Sequence, residues 1–260
     1  MRKYDSVRNS RAFYSDPNTV TLYDAQRFAS ARDQMRYRLQ WTLLTEMLPA
    51  PPASLLEIGC GTGILTDEIS GRGYKIIAMD VSSTMLNACR ERLAESGRSG
   101  CLTQGTGMAI PIAKNSVNAS FCINVLSHIP EPIQIVAEMT RVTQPGGSIV
   151  FNFTNLSSPV GKFICYLVNP LRRLIKRQKM YTWYHSAGRL LAQCSQLPVT
   201  IERVTGLFPL DWRIYPKNPS PEWLSRIEAW EYSLIRLNTV NLFQQGWVRL
   251  RKRVSLGEEN

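Results

Sequence analysis

The stretch LLEIGCGTGILTDEI, residues 55–69, joins an apolar run to an amphipathic one through Gly59, Gly61 and Gly63. Glycine loses more backbone freedom on folding than any other residue, so a cluster suits a sharp turn or a close approach of a ligand to the backbone. The pattern predicts a strand, a glycine loop and a helix. The first N–H groups of such a helix carry partial positive charge, which suits a nucleotide or a carboxylate.

Three glycine-rich motifs compete for this loop. A phosphate-binding P-loop requires Gly-Lys-Ser/Thr, and no lysine follows Gly63. The dinucleotide pattern G-x-G-x-x-G, counted from Gly59, ends on Ile64 instead of glycine. The pattern E-x-G-x-G-x-G, which begins at Glu57, fits.

Asp80 supports a nucleoside site. It stands 21 residues after Gly59, at the end of the next predicted strand, residues 74–79. A carboxylate at that place in a βαβ unit accepts hydrogen bonds from the hydroxyls of a ribose. Because the glycine loop and Asp80 occur at this spacing within one βαβ unit, they predict a site for a nucleoside-type ligand.

Periodicity along the chain predicts alternating helices and strands, and hence an α/β fold with a parallel sheet covered on both faces. The predicted helices cover residues 23–47, 63–70, 83–95, 132–141, 187–196 and 222–237. The predicted strands cover residues 54–58, 74–79, 119–124, 148–153, 199–204 and 246–253. We expect one domain overall, with the ligand-binding core in 1–154 and, in 155–260, acceptor-facing insertions and the last two strands of the same sheet.

Composition excludes several classes of protein. The 260 residues contain no apolar run of about 18, so no transmembrane helix is expected. The N-terminus is polar and has no apolar stretch of the signal-peptide type. Six cysteines form no C-x-x-C pair and only two histidines are present, so we expect neither a metal site nor a disulfide framework. This usage suits a reducing cytoplasm.

Five segments, of which the first is the glycine stretch itself, form a longer pattern. In order along the chain, these segments are LLEIGCGTG, AMDVSSTML, GMAIPIAKNSV, INVLSHIPEP and RVTQPGGSIV. From about residue 23 to 154 their order and spacing resemble the class I S-adenosylmethionine-dependent methyltransferases, in particular the small-molecule branch related to ubiquinone and menaquinone methyltransferases. The resemblance implies a Rossmann-like, seven-stranded, mostly parallel sheet with helices on both faces, an antiparallel last strand and a lid built from insertions.

The resemblance also implies S-adenosylmethionine as the cofactor and a set of residues that bind it. Asp80 would bind the ribose, and Thr106 would meet the adenine edge where the family usually has Asp. A neutral acceptor is weaker than a charged one, so this departure keeps open a cofactor-binding protein without catalysis. The implied cofactor residues are Glu57, Gly59, Cys60, Gly61, Gly63, Asp80, Val81, Met85, Thr106, Gly107, Met108 and Asn124.

Few side chains are suited to act as a base. His128 follows a strand where open α/β sheets place their active sites, and an imidazole with an ordinary pKa near 6.5 accepts a proton at neutral pH. His128 is the catalytic candidate; a structural cap on the strand is the alternative. Tyr181, Tyr184 and His185 are candidates for binding the acceptor, with ordinary core packing as the alternative.

The chain is basic, with a formal net charge of +11, and residues 139–201 contain eight Lys and Arg but no acidic residue. Within 162–179, apolar residues including Phe163 and Leu167 share a helical face, and Arg172 and Arg173 point elsewhere. This pattern is typical of a helix that lies on an anionic membrane. Two alternatives stay open, a lid that grips an anionic acceptor and a surface helix packed by its apolar side.

These features predict a methyltransferase that acts on a small-molecule acceptor, lipid-like or anionic, such as a quinone precursor or a nucleotide-linked sugar. An RNA methyltransferase is the runner-up, but no RNA-binding module is visible and the charge is its only support. We expect no nucleic-acid partner, and a cytoplasmic protein with peripheral membrane contact through 162–179.

Overall fold

The computed structural model describes residues 12–169, 182–237 and 239–254. Helices and strands alternate along most of this length. The helices are α1 (Pro17–Arg27), α2 (Ala31–Met47), α3 (Ile64–Ser70), α4 (Ser83–Glu95), α5 (Pro132–Val142), α6 (Pro159–Phe163), α7 (Ala187–Cys194) and α8 (Pro221–Ile235). The strands are β1 (Ser54–Ile58), β2 (Lys75–Asp80), β3 (Cys101–Gln104), β4 (Val117–Cys122), β5 (Thr143–Thr154), β6 (Val199–Leu207) and β7 (Gln245–Lys252).

The strands form one seven-stranded sheet in the order β3-β2-β1-β4-β5-β7-β6. From β3 to β5 every pairing is parallel, and β7 is antiparallel to both of its neighbours. The predicted fold, a Rossmann-like and mostly parallel sheet with an antiparallel last strand, is confirmed. Because the chain reverses its direction of winding between β1 and β4, a crevice opens at their carboxyl ends, where α/β folds bind ligands.

Apolar side chains from helices on both faces cover this sheet. On one face α5 and α7 pack through residues such as Val136 and Leu190. On the other face α2 and α8 pack through residues such as Leu43 and Ile235. Phe121 and Phe151, in neighbouring central strands, are completely buried. The near-continuous apolar runs of the central strands follow from this double cover.

The structure differs from the predicted elements in several places. The single helix expected over 23–47 is two helices, because the Ser30 side chain accepts a hydrogen bond from Asp33 N and begins α2. β5 begins five residues earlier than expected, since Pro145, Gly146 and Gly147 lie in a bulge opposite Val117–Ala119. The short, half-exposed β3 has no distinct hydrophobic pattern and was not among the predicted strands.

Several described segments meet at the carboxyl edge of the sheet, the edge at which β1, β2 and β4 end. β5 and β6 end at this same edge and β7 begins there, since Thr154 and Leu207 both pair with Gln245. The connections after these strands therefore surround the crevice. Across the described ranges, no helix combines the length and the apolar composition needed to cross a bilayer.

Candidate functional site

A cavity of about 260 Å³ lies at the carboxyl ends of β1, β2 and β4. Eleven of the twelve predicted cofactor residues line it, and so does His128. The eleven are Glu57, Gly59, Cys60, Gly61, Asp80, Val81, Met85, Thr106, Gly107, Met108 and Asn124. Gly63 is the exception. Residues that are distant in sequence thus converge because parallel strands end at one edge.

Asp80 organises the floor of this cavity. Its Oδ2 accepts a hydrogen bond from Gly61 N at 3.0 Å and its Oδ1 accepts one from Ser82 N at 2.9 Å. Burial raises the pKa of this carboxyl, while the backbone donors act in the opposite direction. Each carboxylate oxygen has a second lone pair, so both retain the capacity to accept from a ligand.

The N–H groups of the glycine loop are largely occupied by the protein itself. Gly59 N and Cys60 N both donate to Met79 O, at 2.7 and 3.1 Å, and Gly63 N donates to Cys60 O at 3.0 Å. The amides of Gly59, Cys60, Gly61 and Gly63 are therefore bonded within the protein. These bonds tie the loop to β2.

The three loop glycines have positive φ for different reasons. A Cβ at Gly59 would lie 2.2 Å from Val125 Cγ2, and one at Gly63 would lie 2.4 Å from Cys89 Sγ. Glycine at these two positions permits packing within the protein. A Cβ at Gly61, with φ of +56°, would meet nothing within 4 Å and would enter the cavity. Gly61 therefore keeps open the space that a ligand needs, and the residues present fit a nucleoside-type cofactor.

Glu57 lies beneath the loop, and its side chain is almost wholly inaccessible. Its Oε2 accepts a hydrogen bond from Thr66 Oγ1 at 2.6 Å. Burial raises the pKa of this carboxyl to about 8, and the neighbouring Asp80 adds to the effect. Glu57 is therefore held largely protonated at neutral pH, a state that the sequence did not indicate.

The side of the cavity predicted for adenine is mostly apolar. Val81 and Met85 line it, and Met85 is 2% exposed; its backbone N donates to Ser82 Oγ, the cap of α4. Thr106 Oγ1 accepts from Met108 N at 3.3 Å and keeps its own proton to donate. A Cβ at Gly107 would lie 3.0 Å from Ile58 Cγ2, so a side chain at this position would require Ile58 to shift by a few tenths of an ångström.

Asn124 is held by a network of amide side chains. Its Oδ1 accepts from Gln40, Asn152 and Gln245 at 3.1 to 3.3 Å, and its backbone N donates to Asn152 Oδ1 at 2.7 Å. The residue adopts φ of +61°. Because the side chain is engaged by these amides, Asn124 presents chiefly its backbone to the cavity.

His128 stands at the end of a short turn, Leu126–His128, that follows β4. Its Nε2 lies 3.3 Å from Tyr14 Oη, and the two rings meet edge to face with centroids 5.6 Å apart. Burial raises the pKa of Tyr14 well above its ordinary value. Tyr14 therefore stays a neutral phenol, able to donate to or accept from the imidazole.

The N-terminal region supplies a wall that the sequence analysis did not assign to the site. Arg27 is the one guanidinium among the described lining residues, and its Nη1 donates to Tyr23 Oη at 2.6 Å. Tyr14 lies edge to face against Tyr23 with centroids 6.0 Å apart. The wall consists of Tyr14, Tyr23, Arg27, Phe28 and Tyr37. The sequence feature that could have indicated this wall is the group of tyrosines at positions 14, 23 and 37, which precede the first strand.

Polar contacts fasten this wall to the core. Asp24 accepts a hydrogen bond from Thr62 Oγ1 at 2.6 Å and forms an ion pair with Arg92 of α4. Arg92 Nε also donates to Thr62 O at 2.9 Å. Ser82 Oγ donates to Tyr14 O at 2.8 Å. α1 is thus bound to the glycine loop and to the start of α4.

The predicted acceptor residues are divided among different environments. His185 is buried, its Nε2 lies 3.0 Å from Leu126 O, and it does not line the cavity. Burial lowers the pKa of His185, so the ring is neutral. Tyr184 also lies away from the cavity and is half-buried. Both positions correspond to the packing alternative. Tyr181, Arg172 and Arg173 lie outside the described residues.

Comparison with known proteins agrees with this arrangement. Residues 56–151 match the family described as "Methyltransferase domain". An uncharacterized methyltransferase of Mycobacterium tuberculosis is 34% identical over 119 residues, which cover 46% of each chain. One from Mycobacterium leprae is 32% identical over 114 residues, covering 43% of this chain and 42% of that one. The chain spans about half the length of the curated relatives that it matches.

Solved structures share the fold at low identity. An S-adenosylmethionine-dependent methyltransferase from Thermotoga maritima aligns with a TM-score of 0.66 at 14% identity, over 93% of this chain and 99% of that one. One from Mesorhizobium loti aligns with a TM-score of 0.59 at 16% identity, over 82% and 98%. The [4+2]-cyclase SpnF aligns with a TM-score of 0.57 at 17% identity, over 82% and 80%.

The raised pKa of Glu57 predicts a pH-dependent stability. Because the folded state binds the proton more tightly, the stabilisation is complete below the ordinary pKa of 4.5 and is lost as pH rises through about 8. Glu57→Gln keeps the acceptor for Thr66 and removes the titration. Between pH 5 and 8, we expect the wild type to lose up to about 1.4 kcal/mol per pH unit relative to this variant. Urea unfolding at each pH measures it; parallel curves for the two proteins would contradict the assignment.

Proposed function

We propose that this chain is a class I S-adenosylmethionine-dependent methyltransferase that transfers a methyl group to a small-molecule acceptor, because residues 56–151 match the family described as "Methyltransferase domain". The observation that supports this most is the open space at Gly61 beside the carboxylate of Asp80, in a single cavity at the strand ends. The space admits a ligand against the backbone, and the carboxylate accepts from hydroxyl groups.

The cavity offers a complementary group for each part of the cofactor. In this proposal Asp80 holds the ribose, and Val81 and Met85 pack against the adenine. The guanidinium of Arg27 holds the carboxylate of the methionyl part, because it is the one cation among the described residues that line the cavity. When bound, S-adenosylmethionine supplies a methyl group on a positively charged sulfur, which is already activated toward displacement.

The contribution of the chain is then mainly to position the reactants. Orienting two reactants lowers the free-energy barrier by roughly 7–11 kcal/mol, which is a large part of the barrier lowering that an in-line displacement needs. In this proposal the wall around Tyr14 and Tyr23, which lines one side of the cavity, limits the access of water from that side. The ion pair between Asp24 and Arg92 keeps that wall against the glycine loop.

An acceptor that is a hydroxyl or a protonated amine also needs a base. We assign this role to His128, whose Nε2 takes the acceptor proton once the acceptor replaces Tyr14 Oη as the hydrogen-bond partner of that nitrogen. The backbone bond from His128 N to Val125 O and the bond between His185 Nε2 and Leu126 O fix the turn that carries the base.

The acceptor in this proposal is lipid-like or anionic, such as a quinone precursor or a nucleotide-linked sugar. The apolar lining favours the first class, and the charge of +11 is compatible with both. A labelled-methyl transfer assay on cell extract, separated into lipid, small polar and RNA fractions, tests the class. Label in RNA would favour an RNA methyltransferase, and cofactor binding without label in any fraction would favour a non-catalytic protein.

Gly61→Ala tests the cofactor site. The new methyl enters the cavity, so we expect the affinity for S-adenosylmethionine to fall by about tenfold or more, or 1.4 kcal/mol. Gly73→Ala is the matched control, because Gly73 also has positive φ, also has nothing within 4 Å of a Cβ, and lies outside the cavity. Both variants should lose a similar stability of about 1–2 kcal/mol. Equal cofactor affinity in calorimetry for the two variants would refute the site.

Asp80→Ala tests the ribose contact. We expect the affinity to fall by about 1.5–3 kcal/mol, the range for hydrogen bonds to a charged group. A cofactor analogue that lacks one ribose hydroxyl separates this contact from the loop contacts of Asp80. The wild type should discriminate against the analogue and Asp80→Ala should not. Equal discrimination by both proteins would mean that Asp80 acts only by holding Gly61.

His128→Asn tests the base. We expect the rate of methyl transfer to fall by about 10²–10⁴-fold, the contribution typical of a positioned base. The affinity for S-adenosylmethionine should stay unchanged, as calorimetry would show. Unaltered turnover in the labelled-methyl assay would remove His128 from the mechanism.

A further inference from the structure

Large exposed apolar side chains are concentrated at one place on the molecule. The described residues contain ten large exposed apolar side chains. Seven of them lie on three segments at one edge of the sheet, which are the segment after β5, the segment after β6 and the segment before β7. These seven are Phe163, Tyr166, Leu167, Leu210, Ile214, Leu237 and Leu242. Scattered single residues of this kind are ordinary, whereas a concentration of them indicates an interaction surface.

Backbone contacts hold these three segments side by side. Asn155 N donates to Gln244 O at 2.8 Å, and Asn155 Nδ2 donates to Val240 O and Phe243 O at 2.8 and 3.0 Å. Gln244 N donates to Phe208 O at 2.8 Å. The segment after β5, the segment after β6 and the segment before β7 therefore form one continuous part of the structure.

The first of these segments turns its apolar side outward. Ile164 is buried, but Phe163, Tyr166 and Leu167 are 58%, 68% and 55% exposed. A surface helix that packed on the sheet by its apolar side would bury these residues, so the described part of 162–179 does not fit that alternative. We call Phe163, Tyr166, Leu167, Leu210 and Ile214 the edge surface.

The charge near the edge surface specifies its partner. Lys162, which precedes Phe163, is exposed, and the chain carries a formal net charge of +11. Asp211 is the acidic residue of the loop that carries Leu210 and Ile214, and it is neutralised by Arg213 at 2.6 Å. Exposed aromatic and aliphatic side chains beside an exposed lysine and a neutralised aspartate match an anionic lipid surface, where apolar insertion and attraction to headgroups add.

The edge surface is also connected to the candidate active site. Trp183 N donates to Ser127 O at 2.7 Å, in the turn that carries His128. Two residues further along, the backbone of His185 bonds to Thr154 O and to Leu156 N, directly before α6. Residues 183–185 thus connect the turn that carries His128, which lines the cavity, to the segment that leads into α6.

We propose that the edge surface binds an anionic bilayer and that the acceptor is a lipid taken from it. The second half of this statement rests on the proposed methyltransferase function, whereas the first half does not. Membrane contact at this edge places the bilayer next to the strand ends that carry the cavity. An apolar acceptor would then reach His128 without crossing water.

Sedimentation with lipid vesicles tests the proposal. The full chain should bind vesicles that contain phosphatidylglycerol and bind pure phosphatidylcholine vesicles more weakly. Phe163→Ser/Tyr166→Ser/Leu167→Ser should reduce binding to the anionic vesicles by about tenfold or more. The control Trp230→Ser/Val254→Ser removes two exposed apolar side chains elsewhere and should bind as the wild type does. Calorimetry should give all three proteins the same affinity for S-adenosylmethionine.

Two results would overturn the membrane assignment. The first is absence of wild-type binding to anionic vesicles, or equal binding by the triple variant. The second is a concentration-dependent dimer in sedimentation velocity that the triple variant abolishes while vesicles are not bound, which would assign the surface to a second copy of the chain. If the wild type binds vesicles but does not bind S-adenosylmethionine, this result counts against the methyltransferase proposal and leaves the membrane assignment standing.

Discussion

The hydrogen bond from Gly61 N to Asp80 Oδ2 is the contact on which the candidate site depends. It joins the loop after β1 to the end of β2, so it sets the distance between the open backbone at Gly61 and the carboxylate of Asp80. The other oxygen of Asp80 holds Ser82 N, which begins α4. One buried side chain therefore fixes a loop, a strand end and a helix start together.

Much of the fold could be predicted from the sequence because the relevant signals are local. The strand-to-helix glycine loop, the acidic residue at Asp80 and the apolar runs of the central strands each depend on neighbours along the chain. The same holds for His128, which follows β4 and lies in the cavity as a result. The break between α1 and α2 at Ser30 was also encoded locally, by a side-chain cap that the apolar periodicity obscured.

What could not be predicted depends on contacts between distant parts of the chain. Nothing near Arg27 in sequence indicates that it lines the same cavity as Gly61, since α1 reaches the cavity through Asp24 and its partners Thr62 and Arg92. The protonated state of Glu57 arises from burial by surrounding layers. Phe163 and Leu167 have the spacing of a packed helix, and only the structure of the neighbouring segments shows that they are exposed.

The attachment of α1 also bears on how molecules pass in and out. The ligand cavity is bordered by Tyr14, whose carbonyl is held by Ser82, and by the helix whose Asp24 is held by Arg92. Any movement of α1 away from the cavity has to break these contacts. The helix of 11 residues that shapes this side of the cavity is therefore also the element whose attachment resists its opening.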